Sequence, residues 1–580
     1  MSEQQTKVEA ERKLLLDAQE RGTGATIGAY VRLSGPGWLQ SAITLGGGSL
    51  AGALFLGVLG GTSLLWLQLV AIIMGVVMLS AISYVTLSTG ERPLQAINNH
   101  INPVLGWGWV IATCMANMIW CMPQFSLCYA AVQKNLLGPE TIGDSNSAKF
   151  GVSAIVLAAA MVVVLLNGRQ GLAAKIFDWF LKGLVGMIVI CFFGVVVYLS
   201  ANGLLDWGTI LSGFVPDLRQ WSQPTGDVAG LVAGLPASLQ EYWTGRIVTE
   251  QRAVMIGAAA TAVGINMTFL LPYSMLNRGW DKPFRGLARF DLSTGMAIPY
   301  VLVTSCVVIA SAASFHAKVD DNFRSTDPAV MQQSPFFEKG SELLAARLEH
   351  ELGDEFTSLN EEAQLGRIAA LPEFEKQIAS SLVKRNAFQL SESLAPLLGE
   401  DRANLVFGLG VFGMGFSSII ILMLINGYAF SEMLGQRQGG AAYVAGCLVA
   451  GIVGAVWPRV WDGDTQFWLA ILASSFGLML LPIAYFTFFM MMNSDALLGK
   501  EKPTGGRMLV WNVLMGVSVL GAIVAAGSAI WEKVSPMFKE NAEQNEWLGG
   551  LVVSGVAIVY ILLVIVGFVM KSKTPASESN

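Results

Sequence analysis

The sequence predicts an all-α polytopic membrane protein with about twelve transmembrane helices. Of its 580 residues, 53% are hydrophobic and only 13% are charged, against about 25% charged in an ordinary soluble domain. From Gly37 onward, apolar runs recur that are long enough to cross a hydrocarbon core of about 30 Å, which takes roughly 20 helical residues. Because these runs are continuous and do not alternate with polar residues, a transmembrane β-barrel is excluded.

Twelve apolar runs give the predicted spans, each with bounds good to about four residues. They are 37–60, 63–87, 105–133, 150–166, 173–200, 253–276, 294–313, 403–434, 441–457, 467–492, 508–531 and 547–570. The span numbers used below follow this order.

Basic residues indicate the topology, because they cluster in alternate connections, after spans four, six, ten and twelve. They are Arg169, Lys175, Lys282, Arg285, Arg289, Lys500, Lys502, Arg507, Lys571 and Lys573. By the positive-inside rule these connections are cytoplasmic, which places both termini inside a plasma or inner membrane. Residues 1–34 are polar and lack the apolar core of a signal peptide, so we expect a cytoplasmic N-terminal segment there and a cytoplasmic tail at 571–580.

The transmembrane region is predicted in two parts, with spans one to seven at 35–313 and spans eight to twelve at 402–570. Between them, residues 314–401 form an acidic extracytoplasmic insertion. Its segment SELLAARLEHEL is typical of an amphipathic helix, with four leucines on one face: Leu343, Leu344, Leu348 and Leu352. We expect a small helical cap, and the sequence leaves open whether the cap takes part in transport or is a decoration without that role.

The sequence contains few residues that could support an enzymatic reaction within the membrane. The three histidines, His100, His316 and His350, all lie in connections, so neither an HExxH zinc site nor a histidine-based triad forms within the membrane. No glycine-rich phosphate loop is present, which argues against an ATP-driven pump. We therefore predict a non-enzyme without a cofactor: a secondary transporter, a channel, or a receptor or scaffold of transporter shape. Its partners are a small solute or ion and the lipid bilayer, without nucleic acid, and its oligomeric state is left open.

The cysteines favour packing over metal binding. All six lie in predicted spans, which is unlike a secreted disulfide framework. Cys114, Cys121 and Cys128 are spaced by seven and share one face of span three, where soft sulfur ligands suit Cu(I). The simpler interpretation is that each behaves as a small apolar residue between helices.

Two spans contain helix-breaking residues. Span one carries Gly46, Gly47 and Gly48 in ITLGGGSLAG, and each glycine costs about 1 kcal/mol relative to alanine in a helix. Span six carries Pro272 in AVGINMTFLLPYSML. Transporters that alternate access often contain two inverted repeats, each opening with an interrupted helix, and spans one and six are five apart. We therefore expect the two breaks to face each other across a substrate site; the alternative for the glycines is close helix packing.

Several segments resemble the Nramp family of divalent-metal transporters. GPGWLQSAITLGGGSLAGALFLG at 35–57 is similar to the family's first transmembrane helix, whose pattern begins GPG and carries DPGN at the break. The resemblance continues to about residue 500 through STGERPLQAINNH, LARFDLSTG, NLVFGLGVFGMGFSSIIILMLINGYAFSEMLG and NSDALLG. It implies a LeuT-like fold of two inverted five-helix repeats plus two C-terminal helices, and proton-linked uptake of Mn(II) or Fe(II) as the usual activity.

The metal-site motifs of the family are replaced in this sequence. Aligned from GPG, Gly46 stands where the family has its metal-binding aspartate, and Ser49 where it has asparagine. The family's MPH triplet is similar to Leu271-Pro272-Tyr273, and its second histidine falls at Arg278, which we expect at the cytoplasmic end of span six. The remaining family positions, two acidic ones in span three and a glutamine in span eight, fall at Met122, Phe125 and Phe416.

These replacements change the expected cargo. A dication without its water shell needs hard oxygen ligands or a compensating charge, so we predict no transition-metal site of the family type. The site is expected to hold either a metal cation in hydrated form or a small anion or organic solute bound by backbone amides of the broken helix. The candidate substrate-binding residues are Thr44, Gly46, Gly47, Gly48, Ser49, Asn266, Thr268, Leu271, Tyr273 and Ser274.

Overall fold

The computed structural model describes residues 3–138, 140–166, 172–384, 399–436, 439–461, 466–538 and 544–573. Across these ranges the regular secondary structure is helical. Ten helices are long and apolar enough to cross a membrane, or eleven when the bent pair at span one is counted as a single span, and a shorter apolar helix, Ala441–Ala455, coincides with predicted span nine. The predicted all-α membrane fold is confirmed.

Twenty helices are labelled here in chain order; shorter helical turns between them carry no label. They are α1 (Glu3–Glu20), α2 (Thr23–Leu33), α3 (Pro36–Thr44), α4 (Gly47–Gly60), α5 (Leu65–Thr89), α6 (Pro103–Ala130), α7 (Asn146–Leu166), α8 (Leu172–Ala201), α9 (Asp227–Ala233), α10 (Ala237–Ala262), α11 (Ile265–Asn277), α12 (Arg285–Leu292), α13 (Ile298–Phe315), α14 (Phe337–Leu352), α15 (Glu373–Leu382), α16 (Glu400–Met433), α17 (Ala441–Ala455), α18 (Gln466–Asn493), α19 (Gly506–Val534) and α20 (Gln544–Lys573).

The first span is broken where the glycine run begins. Helix α3 ends at Thr44, α4 begins at Gly47, and the two are bent by 51°. Between them Gly46 has extended backbone, with φ −92° and ψ 178°. A run of glycines holds a helix poorly, and the predicted interruption of span one is confirmed.

The sixth span is also broken, but not at Pro272. Helix α10 ends at Ala262 and α11 begins at Ile265, with Gly264 extended at φ −84° and ψ 166°. Pro272 lies inside α11, eight residues beyond Gly264. A proline in a membrane helix removes one hydrogen bond, and neighbouring groups re-satisfy the freed carbonyl. The expectation that Pro272 marks the break was wrong, and a glycine provides the break instead.

The two interrupted helices lie at the centre of the bundle. Helix α4 packs against α10 and α13, while α16 packs against α3, α6 and α17; α18 closes another side against α6, α10 and α19. By contrast, the apolar part of α20 is exposed along its length, as expected of a lipid-facing helix. The buried position of α4 and α10 brings their breaks to the middle of the protein.

The cysteines of α6 face glycines of neighbouring helices. A Cβ atom at Gly415 of α16 would lie 2.8 Å from Cys128 Sγ, and one at Gly454 of α17 would lie 2.6 Å from Cys121 Cβ. Cys114 is buried as well. These contacts support the packing interpretation, because each thiol fills space left by a missing side chain.

The insertion between spans seven and eight contains several helices over its described part. Helix α14 contains SELLAARLEHEL, and its Leu344 and Leu348 are buried. Residues 385–398 of the predicted insertion, residues 574–580 of the predicted tail, and Arg169 lie outside the described residues. The insertion reaches the transmembrane part, because α15 contacts both α9 and the end of α4.

Two opposite ends of the bundle are named here by their residues. The basic end contains Arg278, Lys282, Arg285 and Arg289, together with the start of α3. The insertion end contains α9, α14 and α15, together with the last turn of α4. Predicted span six extends further toward the insertion end than expected, because α10 begins at Ala237 and not near residue 253.

Candidate functional site

A cavity lies where the two broken helices meet. Its walls come from α3, α4, α6, α10, α11, α16 and α18. Five polar side chains line it: Ser49, Gln124, Thr261, Ser418 and Ser474. The apolar part of the lining is Ile43, Trp120, Pro123, Met267, Leu422 and Ala470. The lining side chains carry no charge, so a bound molecule meets hydroxyls, one amide, one thioether and backbone.

The three glycines of the first break each lie against a different helix. A Cβ atom at Gly46 would overlap Ser418 Oγ of α16, and one at Gly47 would overlap Leu127 of α6. At Gly48 it would lie 3.1 Å from Thr261 Cγ2 of α10. The run therefore serves both purposes weighed from the sequence, because the same residues interrupt the helix and allow close packing around the interruption.

Side chains satisfy part of the exposed backbone at the break. The N–H of Gly47 donates to Gln124 Oε1 at 2.9 Å, and Gln40 Nε2 donates to the carbonyl of Met267 at 3.3 Å. The hydroxyl of Ser49 donates to the carbonyl of Thr44. Backbone without helical partners is tolerated at membrane depth only where protein or a wet cavity satisfies it, and these contacts tie both breaks to their surroundings.

Two helix C-termini and two helix N-termini converge on the cavity. Helices α3 and α10 present their C-terminal carbonyl ends, at Thr44 and Ala262, and α4 and α11 present their N-terminal amide ends, at Gly47 and Ile265. The N-cap residues of α4 and α11 are glycines, Gly46 and Gly264. One N–H of each first turn is taken by a side chain, that of Gly47 by Gln124 and that of Met267 by Asn266. Because carbonyl ends attract cations and amide ends attract anions, the backbone alone can serve either kind of ligand.

Several buried polar atoms around the cavity make no hydrogen bond within the described part of the chain. Ser418 Oγ and Trp120 Nε1 belong to lining residues, and Gln40 Oε1 and Asn266 Nδ2 lie on the adjoining helix ends. A buried donor or acceptor without a partner costs about 1–3 kcal/mol. These atoms are therefore available to a bound molecule.

The predicted site residues of span one all lie at the break. Gly46, Gly48 and Ser49 line the cavity, and Gly47 adjoins it through its hydrogen bond to Gln124. The hydroxyl of Thr44 donates to the carbonyl of Gln40 at 2.8 Å, and it lies 3.5 Å from Met267 Sδ. The structure brings these five residues together.

The predicted residues of span six are spread along α11. Asn266 lies at its start, beside the cavity, with Oδ1 accepting the N–H of Met267. Thr268 accepts a hydrogen bond from Trp109 Nε1 at 2.9 Å. Leu271, Tyr273 and Ser274 are buried further along the helix and are not among the lining residues. The binding role of these five residues stays a prediction.

Sequence reasoning missed most of the cavity wall. Gln124 and Ser418, which line the cavity, were not among the predicted site residues. A thioether is present too, from Met267 and not from position 271. Gly264 was the available signal for the second break, but a weak one, since an isolated glycine inside an apolar helix is usually tolerated.

The N-terminus of α3, which lies at the basic end of the bundle, is capped by a buried carboxylate. Asp291 of α12 is 1% exposed. It accepts the N–H groups of Gly37 and Gly35 at 2.6 and 3.2 Å, and also the hydroxyl of Ser34. Arg278, the C-cap residue of α11, lies with its guanidinium against Gly35. An anion at a helix N-terminus is stabilising, so this end of α3 is anchored in the described structure.

Ion pairs hold neighbouring helices at the same end. Glu501 lies 2.5 Å from Lys282 Nζ and 2.7 Å from Arg285 Nη2, and these two cations lower the pKa of its carboxyl. Near the end of α16, Glu432 pairs with Arg92 at 3.3 Å. Together these contacts connect α5, α12, α16 and the segment after α18 across the basic end.

A buried histidine connects three elements at the insertion end. His316 follows α13 and is 7% exposed. Its Nδ1 lies 3.0 Å from the carbonyl of Val58 in α4, and its Nε2 accepts the N–H of Asp227 in α9 at 2.9 Å. These partners fit a neutral ring with its proton on Nδ1, and burial lowers the pKa of His316.

Comparison with protein families identifies the architecture. The family model described as natural resistance-associated macrophage protein-like, Nramp, matches residues 37–346 and 374–528. The chain belongs to the Nramp family. This Nramp chain lacks a group of three or more His, Cys, Asp or Glu residues able to hold a metal ion within the ranges that the structure describes.

Solved structures share the fold at low sequence identity. The crystal structure of the Eremococcus coleocola manganese transporter in complex with an aromatic bis-isothiourea substituted compound has a TM-score of 0.61 and 14% identity, covering 94% of each chain. Two single-residue variants of that transporter give 0.60 and 13%, covering 93% of this chain and 95% of theirs. A comparison with curated protein sequences found no match. The Nramp chain therefore has the LeuT fold of the family.

Proposed function

We propose that this Nramp protein is a secondary transporter that carries a metal cation across the membrane by alternating access, bound in the central cavity with much of its water retained. One observation supports this most: the two interrupted helices of a transporter fold meet at one cavity, whose lining is uncharged and includes five polar side chains. Family membership supports metal ion transport, and the proposal includes no enzymatic step.

The chemistry of the cavity favours a hydrated ion over a bare one. A dication without its water is very costly in a low dielectric unless carboxylates or many oxygens surround it. The hydroxyls of Ser49, Ser418 and Ser474 and the carbonyl ends of α3 and α10 are neutral oxygens. They suit hydrogen bonds from the waters of a hydrated ion. Mg²⁺, which loses water reluctantly, is the cation that fits best, and Mn²⁺ is the second to test.

A second candidate is a small anion or an organic solute with a carboxylate. It is favoured by two donors at the cavity without a partner in the described ranges, Trp120 Nε1 and Asn266 Nδ2, together with the N-terminus of α4. Such groups bind acceptor oxygens. A receptor or scaffold without transport is the remaining outcome.

We further propose the orientation of the protein in the membrane. The basic end is assigned to the cytoplasm by the positive-inside rule, with Lys282, Arg285 and Arg289 near the start of α12. Both termini are then cytoplasmic, the insertion lies outside, and the site is reached alternately from the two ends. A plasma or inner membrane is the proposed location.

Uptake into proteoliposomes tests the function. Purified full-length protein is reconstituted and assayed with Mg²⁺, Mn²⁺, a panel of small anions and a panel of amino acids, with protein-free liposomes as the control. We expect saturable uptake of Mg²⁺, of Mn²⁺ or of both. Saturable uptake of an anion or amino acid without cation uptake would support the second candidate. If uptake of every solute equalled that of protein-free liposomes, a receptor or scaffold without transport would be the remaining function.

A further inference from the structure

We propose that the hydroxyl of Ser418 in α16 is a direct ligand of the transported species, contacting it at the Gly46 break. The inference deepens the proposed function by assigning one contact within the same cavity. Ser418 is 2% exposed, lines the cavity, and its Oγ makes no hydrogen bond within the described ranges.

Two buried serines of α18 behave differently, whereas Ser41 and Ser126 also lack a partner within the described ranges but do not line the cavity. Serine in a membrane helix normally donates to a carbonyl one turn back. Ser474 donates to Ala470 at 2.7 Å, and Ser475 donates to Ile471 at 3.1 Å. Ser418 does not use this option. A buried hydroxyl without a partner costs about 1–3 kcal/mol, and a ligand in the cavity removes this cost.

Gly46 provides the space in which Ser418 Oγ lies. A Cβ at Gly46 would overlap this oxygen, so any other residue at position 46 displaces the hydroxyl. Gly46 itself is the extended residue between α3 and α4. The oxygen of Ser418 therefore stands at the break, where residue 46 supplies only backbone.

The chemistry of the hydroxyl sets the class of ligand. A serine oxygen has two acceptor lone pairs and one donor hydrogen, so it accepts a hydrogen bond from a water of a hydrated cation without bringing charge. Gln124, the amide that faces the same cavity, already uses its Oε1 for the N–H of Gly47. Ser418 is therefore a lining residue at the break whose hydroxyl has both its donor and its acceptor capacity unused within the described ranges.

The neighbouring Ser417 offers a matched control. It is equally buried, but its hydroxyl donates to the carbonyl of Ala42 in α3 at 2.9 Å and contacts the carbonyl of Met414 at 3.2 Å. Ser417 thus stabilises the packing of α16 on α3, whereas Ser418 has no such protein contact in the described structure. Comparing a variant without the Ser417 hydroxyl with one without the Ser418 hydroxyl therefore distinguishes a structural role from a binding role.

The experiment compares Ser418→Ala with Ser417→Ala in the full-length protein, using Mg²⁺ and Mn²⁺ uptake and thermal unfolding without added cation. For Ser418→Ala we expect an unfolding midpoint at or above that of wild type and a KM for the transported cation raised about tenfold, which is about 1.4 kcal/mol. For Ser417→Ala we expect a lower midpoint and a KM within about twofold of wild type. A wild-type KM for Ser418→Ala would overturn the proposal, and so would a midpoint lowered as far as in Ser417→Ala.

A labelling measurement keeps this inference separate from the transport proposal. Ser418→Cys is treated with a small cationic thiosulfonate, with wild type and Ser417→Cys as references for the native cysteines. We expect labelling of Ser418→Cys above both references, and slower labelling when a transported cation is present. Absence of cation uptake by wild type would contradict the proposed function, and labelling would then decide alone whether position 418 faces an accessible ligand cavity. Labelling no faster than the references would overturn the Ser418 assignment.

Discussion

At the scale of single residues, Gly47 has no room for a methyl group. Its Cβ would overlap Leu127 and lie 2.8 Å from Gln124 Oε1, the acceptor of its own N–H. Overpacking a closed site costs about 1–3 kcal/mol. We expect Gly47→Ala to lower the unfolding midpoint in detergent and to abolish uptake, because the helix break has to shift.

Gly516 in α19 is the control for this substitution. A Cβ there meets nothing within 4 Å, and alanine favours a helix over glycine by up to about 1 kcal/mol. We expect Gly516→Ala to transport like wild type with an equal or higher unfolding midpoint. Uptake at the wild-type rate by Gly47→Ala would show that this glycine is not part of the transport site.

His316 predicts a loss of stability in acid. Burial lowers the pKa of His316, outweighing the opposing effect of the Asp227 carboxylate. The unfolded chain then binds a proton where the folded chain does not. The contribution of His316 is therefore complete above the ordinary histidine pKa of about 6.5 and is lost as the pH falls below it.

The measurement is the unfolding midpoint between about pH 7.5 and pH 5.5, compared between wild type and His316→Gln. Glutamine does not titrate in this range. Its side-chain N–H can donate to the carbonyl of Val58, and its side-chain oxygen can accept the backbone N–H of Asp227. We expect the midpoint of wild type to fall more steeply than that of the variant. Equal slopes would mean that His316 does not control the acid sensitivity of the insertion end.

At the scale of helices, the capping of α3 gives a prediction about local opening. Asp291 accepts the N–H groups of Gly35 and Gly37, and losing such a cap costs about 0.5–2 kcal/mol. We expect Asp291→Ala to speed amide hydrogen exchange in residues 34–44. Asp206→Asn is the control, because Asp206 caps only a short exposed helix, through Gly208. Unchanged exchange in Asp291→Ala would mean that other contacts hold this end of α3.

The two helix breaks show what the sequence reveals at this scale. Three consecutive glycines predicted the first break at its observed place, because the local cost of a glycine run exceeds what neighbours repair. Pro272 misled, since a membrane helix tolerates a proline. The second break depends on tertiary packing: a Cβ at Gly264 would overlap the ring of Trp120, and a single sequence does not show that contact.

The part of the cavity wall that α6 and α16 form was not predictable, for a related reason. Gln124 and Ser418 face the site because of how α6 and α16 are rotated about their axes. That rotation is set by packing against neighbouring helices, which a single sequence does not show.

At the scale of the whole molecule, a buried ion pair ties the insertion to the bundle. Glu375 of α15 lies 2.5 and 2.9 Å from two nitrogens of Arg347 in α14, and it accepts from Trp243 Nε1 of α10 at 3.3 Å. Arg347 and Glu375 have side chains only 6% and 2% exposed. The insertion is thus joined directly to one of the two interrupted helices.

We expect Glu375→Gln to destabilise the protein by about 1.5–3 kcal/mol, the value of hydrogen bonds to charged groups. Thermal unfolding and limited proteolysis within 321–382 measure the effect. Glu373→Gln is the control, because the Glu373 pair with Arg324 is half-exposed and is worth at most about 1 kcal/mol. Equal destabilisation by the two variants would contradict the joining role of Glu375, and a changed uptake rate in Glu375→Gln alone would link the insertion to transport.

Twelve spans were predicted, and the described residues contain ten or eleven helices long enough to cross a membrane and one shorter apolar helix at predicted span nine. The positions of the apolar runs were predictable, because bilayer thickness fixes their length. The ends of the spans were not. Helix α10 begins sixteen residues before the predicted start of span six, since polar residues such as Gln240 and Arg246 extend it beyond the apolar run. Such an extension depends on contacts with α9 and the insertion, which hydropathy does not report.

The anchored end of α3 also has a mechanical consequence. The helix has nine residues, so it is about 13 Å long, with the Gly46 break at one end and Asp291 at the other. A tilt of about 10° about the break displaces the far end by about 2 Å. Such a displacement would break the hydrogen bonds of Gly35 and Gly37 to Asp291, while atoms next to the break would move much less. We therefore expect that any rotation of α3 about the Gly46 break requires the contacts of Asp291 to open first.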